Sequence, residues 1–446
     1  MALTGLQIFK LLPKTNCKDC GKPTCLAFAM ALASKKASLD ECPHVSDEGK
    51  AALEGASAPP MKTITVGTGE AAFEIGGETV MFRHDEKFYR PTAVAVVLGD
   101  DLDEAARAER LKAIEALQFE RVGQEIAVDA VAVRNVSGDA GTFAAAAEHV
   151  AGNTSLAVIL SSESVDALKA AVEKCADKKP LICEATAETV DDLAALAKDK
   201  GCPLAVGAAT PEELADLTEK AKAAGCEDLI LHPRGETTLD TLRTLSANRQ
   251  VALRKGFRPL GFPQIVDATA DDPADQSVFA SSCVAKYAGI VVIDTVEPAY
   301  VLPILTTRMN IYTDPQKPVQ VEPKLYEVGE VTNQSPVMFT TNFSLTYFTV
   351  QSDVEASRIP TYILAVDTEG TSVLTAYSGD KLNEKVVAKA MKDADLESKV
   401  SHKKIIIPGA VAVMSGALEE ESGWEVMVGP RESAVIPKFL QTMWSA

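Results

Sequence analysis

The sequence predicts an α/β chain in three parts: a small N-terminal domain built on cysteines, a central (β/α)8 TIM barrel, and a C-terminal doubly wound, Rossmann-like domain. Three observations carry that reading. Four of the nine cysteines fall in "NCKDCGKPTCLAFAMALASKKASLDECP", from Asn16 to Pro43. From Thr92, short apolar runs alternate with charged helical runs eight times. After a proline-rich break the alternation restarts with four further strands. A chain of 446 residues exceeds what one core commonly serves. The expected boundaries are 1–58 for the cysteine domain, 59–91 for a linker with short hairpins, 92–312 for the barrel and 313–446 for the last domain.

The N-terminal spacing is Cys17-x2-Cys20-x4-Cys25-x16-Cys42-Pro43. Thiols this close in a reducing compartment point to a metal centre. Zinc ribbons use two close pairs, and here there is one. Uneven reach suits a larger object, and Pro43 echoes the Cys-Pro of ferredoxin runs, so a [4Fe–4S] cluster is favoured over zinc. The Ala-rich run from Leu26 to Leu39 reads as a helix that carries the chain on to Cys42. Lys14, Lys18, Lys22, Lys35 and Lys36 make the segment locally basic. They form either a solvated face or one that offsets cluster charge or docks an electron donor. The other cysteines (Cys175, Cys183, Cys202, Cys226 and Cys283) lack motif spacing and read as buried thiols. Their odd total points to a reducing cytoplasm.

After Lys50, "AALEGASAPPMK" reads as a linker. The barrel strands are expected at "TAVAVVL" from Thr92, "AVDAVAVR" from Ala127, "LAVIL" from Leu156 and "PLICEA" from Pro180. The other four are "PLAVGA" from Pro203, "DLILHP" from Asp228, "FPQIVDAT" from Phe262 and "GIVVIDT" from Gly289. Near-continuous apolar strands in β/α alternation mean a parallel sheet able to close. Chemistry in such barrels sits where strands end. Those ends carry Asp100, Arg134, Asn135, Ser161, Glu184, His232, Asp267 and Asp294. This rim is either a pocket or, as favoured here, the polar mouth of a scaffold.

In the C-terminal part the strands are "VMFTT" from Val337, "TYILAVD" from Thr361, "KKIIIPG" from Lys403 and "WEVMVGP" from Trp424. Ligands of doubly wound sheets lie at the strands' carboxyl ends. Those ends are glycines, hydroxyls and small side chains, suited to a large flat ligand or simply to glycine-rich turns. No Walker A or G-x-G-x-x-G pattern occurs, which weakens ATP and NAD readings.

Net charge −19 disfavours nucleic acid and anionic membranes, and no apolar run approaches a membrane span.

With its cysteine motif, barrel and doubly wound tail, the chain closely resembles, over its whole length, the large subunit of the corrinoid iron–sulfur protein of the acetyl-CoA (Wood–Ljungdahl) pathway. The resemblance implies a cytoplasmic methyl carrier, not a stand-alone enzyme. Its corrinoid cobalt would take a methyl group from methyltetrahydrofolate, through a methyltransferase, and pass it to CO dehydrogenase/acetyl-CoA synthase. The [4Fe–4S] cluster would reduce Co(II) to Co(I), fed by a low-potential electron donor. The resemblance also implies a small barrel subunit as heterodimer partner. Carried across, Cys17, Cys20, Cys25 and Cys42 would bind the cluster. The corrinoid would face Thr340, Thr346, Gly370, Thr371, Ser372, Val373, Leu374, Thr375, Gly409, Ala410, Gly429, Pro430 and Arg431. No Asp-x-His-x-x-Gly motif offers cobalt a histidine, and His402 is expected on the side of the sheet's strands away from the ligand. Two other classes stand beside this: an iron–sulfur electron-transfer subunit without corrinoid, and a pterin-binding barrel methyltransferase.

Overall fold

The computed structural model describes residues 5–33, 37, 39–46, 49 and 59–444. Of the linker expected over residues 51–62, residues 51–58 lie outside these, as do Lys35 and Lys36 of the basic segment. The chain divides into two compact units, one of Met1–Gln118 with Ala127–Tyr312, the other of Phe119–Ile126 with Thr313–Ala446.

In the first unit, β1 (Thr63–Val66) and β2 (Phe73–Gly76) pair antiparallel. Next along the chain come β3 (Ala93–Gly99) and a hairpin of β4 (Gln118–Arg121) and β5 (Gln124–Ala127). The strands β6 (Ala130–Arg134), β7 (Ala157–Ser161), β8 (Leu181–Ala185) and β9 (Leu204–Ala208) follow. Last are β10 (Leu229–Pro233), β11 (Ile265–Asp267) and β12 (Ile290–Ile293). The order β10-β9-β8-β7-β6-β3-β12-β11 is parallel throughout. Leu231 N donates to Pro263 O at 2.9 Å, which brings β10 to β11 and closes the barrel. The expected eightfold barrel is therefore present.

Six of its helices start on side-chain caps. Asp103, Asp139, Ser164, Thr210, Thr237 and Asp272 each accept a backbone N–H of the first turn. Gly201 and Gly256 end two of them in the left-handed conformation. The interior is lined by small and branched side chains, among them Ala93, Ala95, Ala130, Ala132, Ile159, Ile230 and Ile290. Ile64, Val66 and Ile75 of the β1–β2 hairpin join that core. Lys62 N bonds Gly261 O, and Gly67 N bonds Lys179 O, so the hairpin plugs the end where strands begin. The short hairpins expected before Thr92 thus seal the barrel floor.

All five scattered thiols are buried, and burial pushes four of them up, Cys175 and Cys283 to about 12 and Cys202 and Cys226 to about 11. Thiolate is the reactive form. Brief iodoacetamide treatment of the folded chain near pH ~8 is expected to leave these four unmodified, and denaturant to expose them all. Peptide mass spectrometry reads the outcome.

In the second unit the sheet runs β13-β15-β14-β16-β17. The strands are β13 (Leu325–Val328), β14 (Val337–Thr341), β15 (Thr361–Val366), β16 (Lys404–Ile407) and β17 (Glu425–Val428). All pairs are parallel except β13 with β15. Helices cover both faces. Val387, Met391 and Leu418 pack on one side, and Tyr347, Val354, Ile436 and Leu440 on the other. This is the doubly wound arrangement the four strands implied. The antiparallel edge strand β13 is an addition, inside what reads as a proline-rich break.

The β4–β5 hairpin corrects the strand expected from Ala127: the barrel strand begins at Ala130, and Ala127 closes a hairpin. The turn is Val122-Gly123, both at positive φ (51° and 67°), as tight hairpins require. Although the hairpin lies between barrel strands in the chain, nearly all of it, Phe119–Ile126, belongs to the second unit. A Cβ on Gly123 would run into the Phe348 ring of helix Ser344–Ser357.

Candidate functional site

In the second unit, β14 stands between β15 and β16. The chain moves from β14 to β15 on one side, then crosses to β16 on the other, and such a reversal is where doubly wound sheets open a crevice. Pairing of β14 with β16 is registered only at Met338 and Ile406. Beyond it lies a cavity of about 390 Å³. Its floor includes Met338, Phe339, Thr340 and Ile407, and its walls come from three loops and the first turns of helix Ser344–Ser357.

Two features mark it as a seat for a ligand. The hydroxyl of Thr340, in the lining, is buried and bonds to nothing in the chain, a costly state that a partner would relieve. Apolar side chains stand exposed nearby: Leu345 at 52% and Leu374 at 55% line it, and Val435, at 46%, follows the lining residue Ser433 by two positions.

Nine of the thirteen residues carried over from the resemblance line this cavity: Thr340, Thr346, Ser372, Val373, Leu374, Ala410, Gly429, Pro430 and Arg431. The other four are not in its lining but neighbour residues that are. Gly409 lies where a Cβ would strike Gly429 O and come within 2.8 Å of Pro430 C, so it lets two loops touch. Gly370 takes φ +70° and donates its N–H to Asn342 Oδ1. Thr371 donates its hydroxyl to Thr368 O within a turn, and Thr375 accepts from Ser372 Oγ. Sequence reasoning missed Leu345, Thr349 and Val350, although their spacing puts them with Thr346 on one helical face.

His402 is the only histidine from Thr313 onward. It precedes β16, opposite the strand end that opens on the crevice. Its ring meets Trp424 and Trp444, and Nε2 lies 2.9 Å from Ser335 O.

At the N-terminus, helix Gly5–Leu11 packs on helix Cys25–Ala33. Cys25 and Cys42 are buried with Ile8, Leu12, Phe28, Ala29 and Val45, and Cys20 packs against that cluster. Cys17 is exposed. Cys25 is the first residue of its helix. Asn16 N points at Cys25 Sγ from 3.4 Å, and Asn16 Oδ1 accepts from Cys25 N at 2.8 Å. The loop turns through positive φ at Lys14, Asn16, Lys18 and Gly21. Asp19 lies 2.6 Å from His44 Nε2, and hydrogen bonds from His44 and then Cys17 hold its carboxyl below the usual range. Among the described residues, ligating atoms of Cys17, Asp19 and His44 gather within 4.8 Å, and no three of the four thiols do. The helix expected to reach Leu39 is described only to Ala33.

Comparison with known proteins places this geometry. A family model described as "CO dehydrogenase/acetyl-CoA synthase delta subunit" matches residues 63–440, and one described as "Putative Fe-S cluster" matches residues 12–44. The corrinoid/iron-sulfur protein large subunit of Moorella thermoacetica is 47% identical over 98% of both chains. The chain belongs to this family. The acetyl-CoA decarbonylase/synthase complex subunit gamma of Methanothermobacter thermautotrophicus is 37% identical over the full length of both. Among solved structures, the 7,8-dihydropteroate synthase of Vibrio fischeri ES114 overlaps 50% of this chain and 95% of its own, at 12% identity and TM-score 0.40. That overlap adds nothing to a barrel already read from its strands. Among the described residues, no helix of this family member is long and apolar enough to cross a membrane.

The barrel mouth is more than a polar rim: it surrounds a cavity of about 430 Å³. Arg134, Asn135, Ser161, Glu184, His232 and Asp267 line it. Buried Glu184 is bonded by His232 Nδ1 at 2.6 Å and paired with Arg234, while Arg134 pairs with Asp267 at 2.5 Å. Two expected rim residues are otherwise engaged. Asp100 is buried and accepts from Val136 N, Ser137 N and Ser137 Oγ, and Asp294 pairs with Arg110. Gly207 leaves the space that Glu184 fills, since a Cβ there would strike its carboxylate. Gly207→Ala is expected to cost about 1–3 kcal/mol, read as a lower urea midpoint with unchanged m.

Proposed function

We propose that this chain carries methyl groups on a corrinoid cobalt, from methyltetrahydrofolate through a separate methyltransferase to acetyl-CoA synthase. An N-terminal [4Fe–4S] cluster restores the cobalt to its reduced state after stray oxidation. The observation that carries this reading is the β14/β16 crevice, with the unpartnered Thr340 hydroxyl in its lining and exposed leucines at its edge, in a member of this family.

When bound, a corrinoid supplies a nucleophilic cobalt for methyl transfer, and the cluster supplies single electrons. The chain's own residues supply the seat. Thr340 and Thr346 present hydroxyls, and the loops at Pro408–Ala410 and Gly429–Arg431 are tied to each other by Gly409 N donating to Pro430 O and line the crevice with Pro408, Ala410, Gly429, Pro430 and Arg431. Leu345 and Leu374 give the apolar contact a macrocycle wants, and their exposure suits a lid provided by the smaller barrel subunit. The second unit's one histidine, His402, is held at Ser335 O, so the crevice lining would offer a bound corrinoid no imidazole donor. Cys17, Cys20, Cys25 and Cys42 would hold the cluster, with Asn16 N directed at a ligand sulfur.

The test uses the full chain with its smaller subunit, purified without oxygen. Incubation with methyltransferase and isotopically labelled methyltetrahydrofolate should leave about one labelled methyl per cobalt on the protein, discharged by acetyl-CoA synthase. A cobalt-replete protein that takes up no label would contradict the proposal.

A further inference from the structure

We infer that the barrel mouth binds a small organic anion, whose oxyanion group is recognised by the guanidinium groups of Arg134 and Arg234. The site belongs to the first unit, whereas the crevice belongs to the second, and it does not rest on the corrinoid reading. Its cavity of about 430 Å³ is the size of a small-molecule pocket. Ala132, Ile159, Ile265 and Val292, all buried, supply an apolar part of the lining.

The acceptors of this cavity are occupied. Glu184 Oε2 lies 2.6 Å from His232 Nδ1, and Oε1 is paired with Arg234. Asp267 Oδ1 accepts from Thr269 N and Thr269 Oγ1, and its Oδ2 accepts from Arg134. Glu163, the remaining acid of the lining, is exposed, so water satisfies it. The donors are in excess. A guanidinium carries five N–H groups. Among the described residues, Arg134 bonds Asp267 and Thr269, and Arg234 pairs with Glu184, which leaves most of their N–H groups for a ligand. The Arg234 side chain is 44% exposed and that of Arg134 29%, so both stay reachable. Saturated carboxylates beside open guanidinium donors select an acceptor-rich, negatively charged group, and the arginine fork matches two oxygens of a carboxylate or a phosphate. In a chain of net charge −19 the overall field repels anions, so only such local cations can hold one. The apolar lining suits a short hydrocarbon or ring carried by that anion.

The experiment titrates benzoate, its uncharged isostere benzamide, and orthophosphate into the full chain with its smaller subunit, followed by calorimetry. Benzoate or phosphate is expected to bind with Kd of about 1 mM or below, the range of a small fragment, and benzamide about tenfold or more weakly. Whichever anion binds tighter identifies the group as carboxylate or phosphate, and either supports the site. Arg134→Gln and Arg234→Gln should each weaken that anion by about tenfold or more. Glu184→Gln frees Arg234 from its carboxylate and should bind the anion at least as tightly as the parent. This third variant gives the answer if Arg234→Gln, which leaves Glu184 short of a partner, fails to fold. Neither anion binding at about 10 mM, equal affinity for benzamide, or binding unmoved by the arginine changes would overturn the proposal. Weaker binding by a folded Glu184→Gln chain would overturn it as well.

Discussion

A Cys20→Ala chain is expected to carry methyl groups at the parent rate when its cobalt is supplied already reduced, and to fail once the cobalt has been oxidised. Cys20 sits half-buried against Phe28, Leu12 and their neighbours, so alanine suits the local packing. What alanine removes is one of four candidate thiolate ligands, and three are too few for a stable cube. Recovery from Co(II) with a protein electron donor should drop by about a hundredfold or more, the upper end of what damage to a metal site costs. Methyl uptake after chemical reduction should stay near normal, because the crevice lies in the other compact unit. Visible absorbance separates the two outcomes in one sample. Unchanged recovery in the variant would end the electron-relay role.

Ala410→Trp is expected to abolish cobalt retention. Ala410 is half-exposed and lines the crevice between the Pro408 and Gly429 loops. An indole in a space of about 390 Å³ leaves no room for a flat macrocycle. The side chain enters an existing cavity, so little core is disturbed and the urea midpoint should move by less than an overpacked core would imply, about 1 kcal/mol or less. Cobalt falling to background with a preserved midpoint is the expected pair of results. Full cobalt content in Ala410→Trp would move the corrinoid site elsewhere.

The parts legible in the sequence were those with strong period or strong chemistry. Eight apolar strands spaced by capped helices announced the barrel, because buried parallel strands need no polar face. The cysteine spacing stood out because four thiols in one loop have few other uses. The β4–β5 hairpin was harder to see. Its strands are short and its tip residue, Val122, takes a positive φ that valine rarely adopts. The floor-sealing role of β1–β2 depends on contacts with Gly261 and Lys179, far along the chain, so no local pattern reveals it. Crevice residues on loops were readable because ligand sites follow strand ends. Leu345, Thr349 and Val350 were less so, since a helix face shows its partner only after the sheet is assembled. Asp100 and Asp294 look like rim residues by position, and only geometry shows them tied to Ser137 and Arg110.

The central claim is that one chain seats a corrinoid in the β14/β16 crevice and an iron–sulfur cube on its N-terminal thiols. Metal analysis of the anaerobically purified complex, full chain with smaller subunit, tests it most directly. The expected result is about four irons and about one cobalt per pair of subunits, with little zinc. Zinc in place of iron, or no cobalt even with the smaller subunit bound, would contradict it.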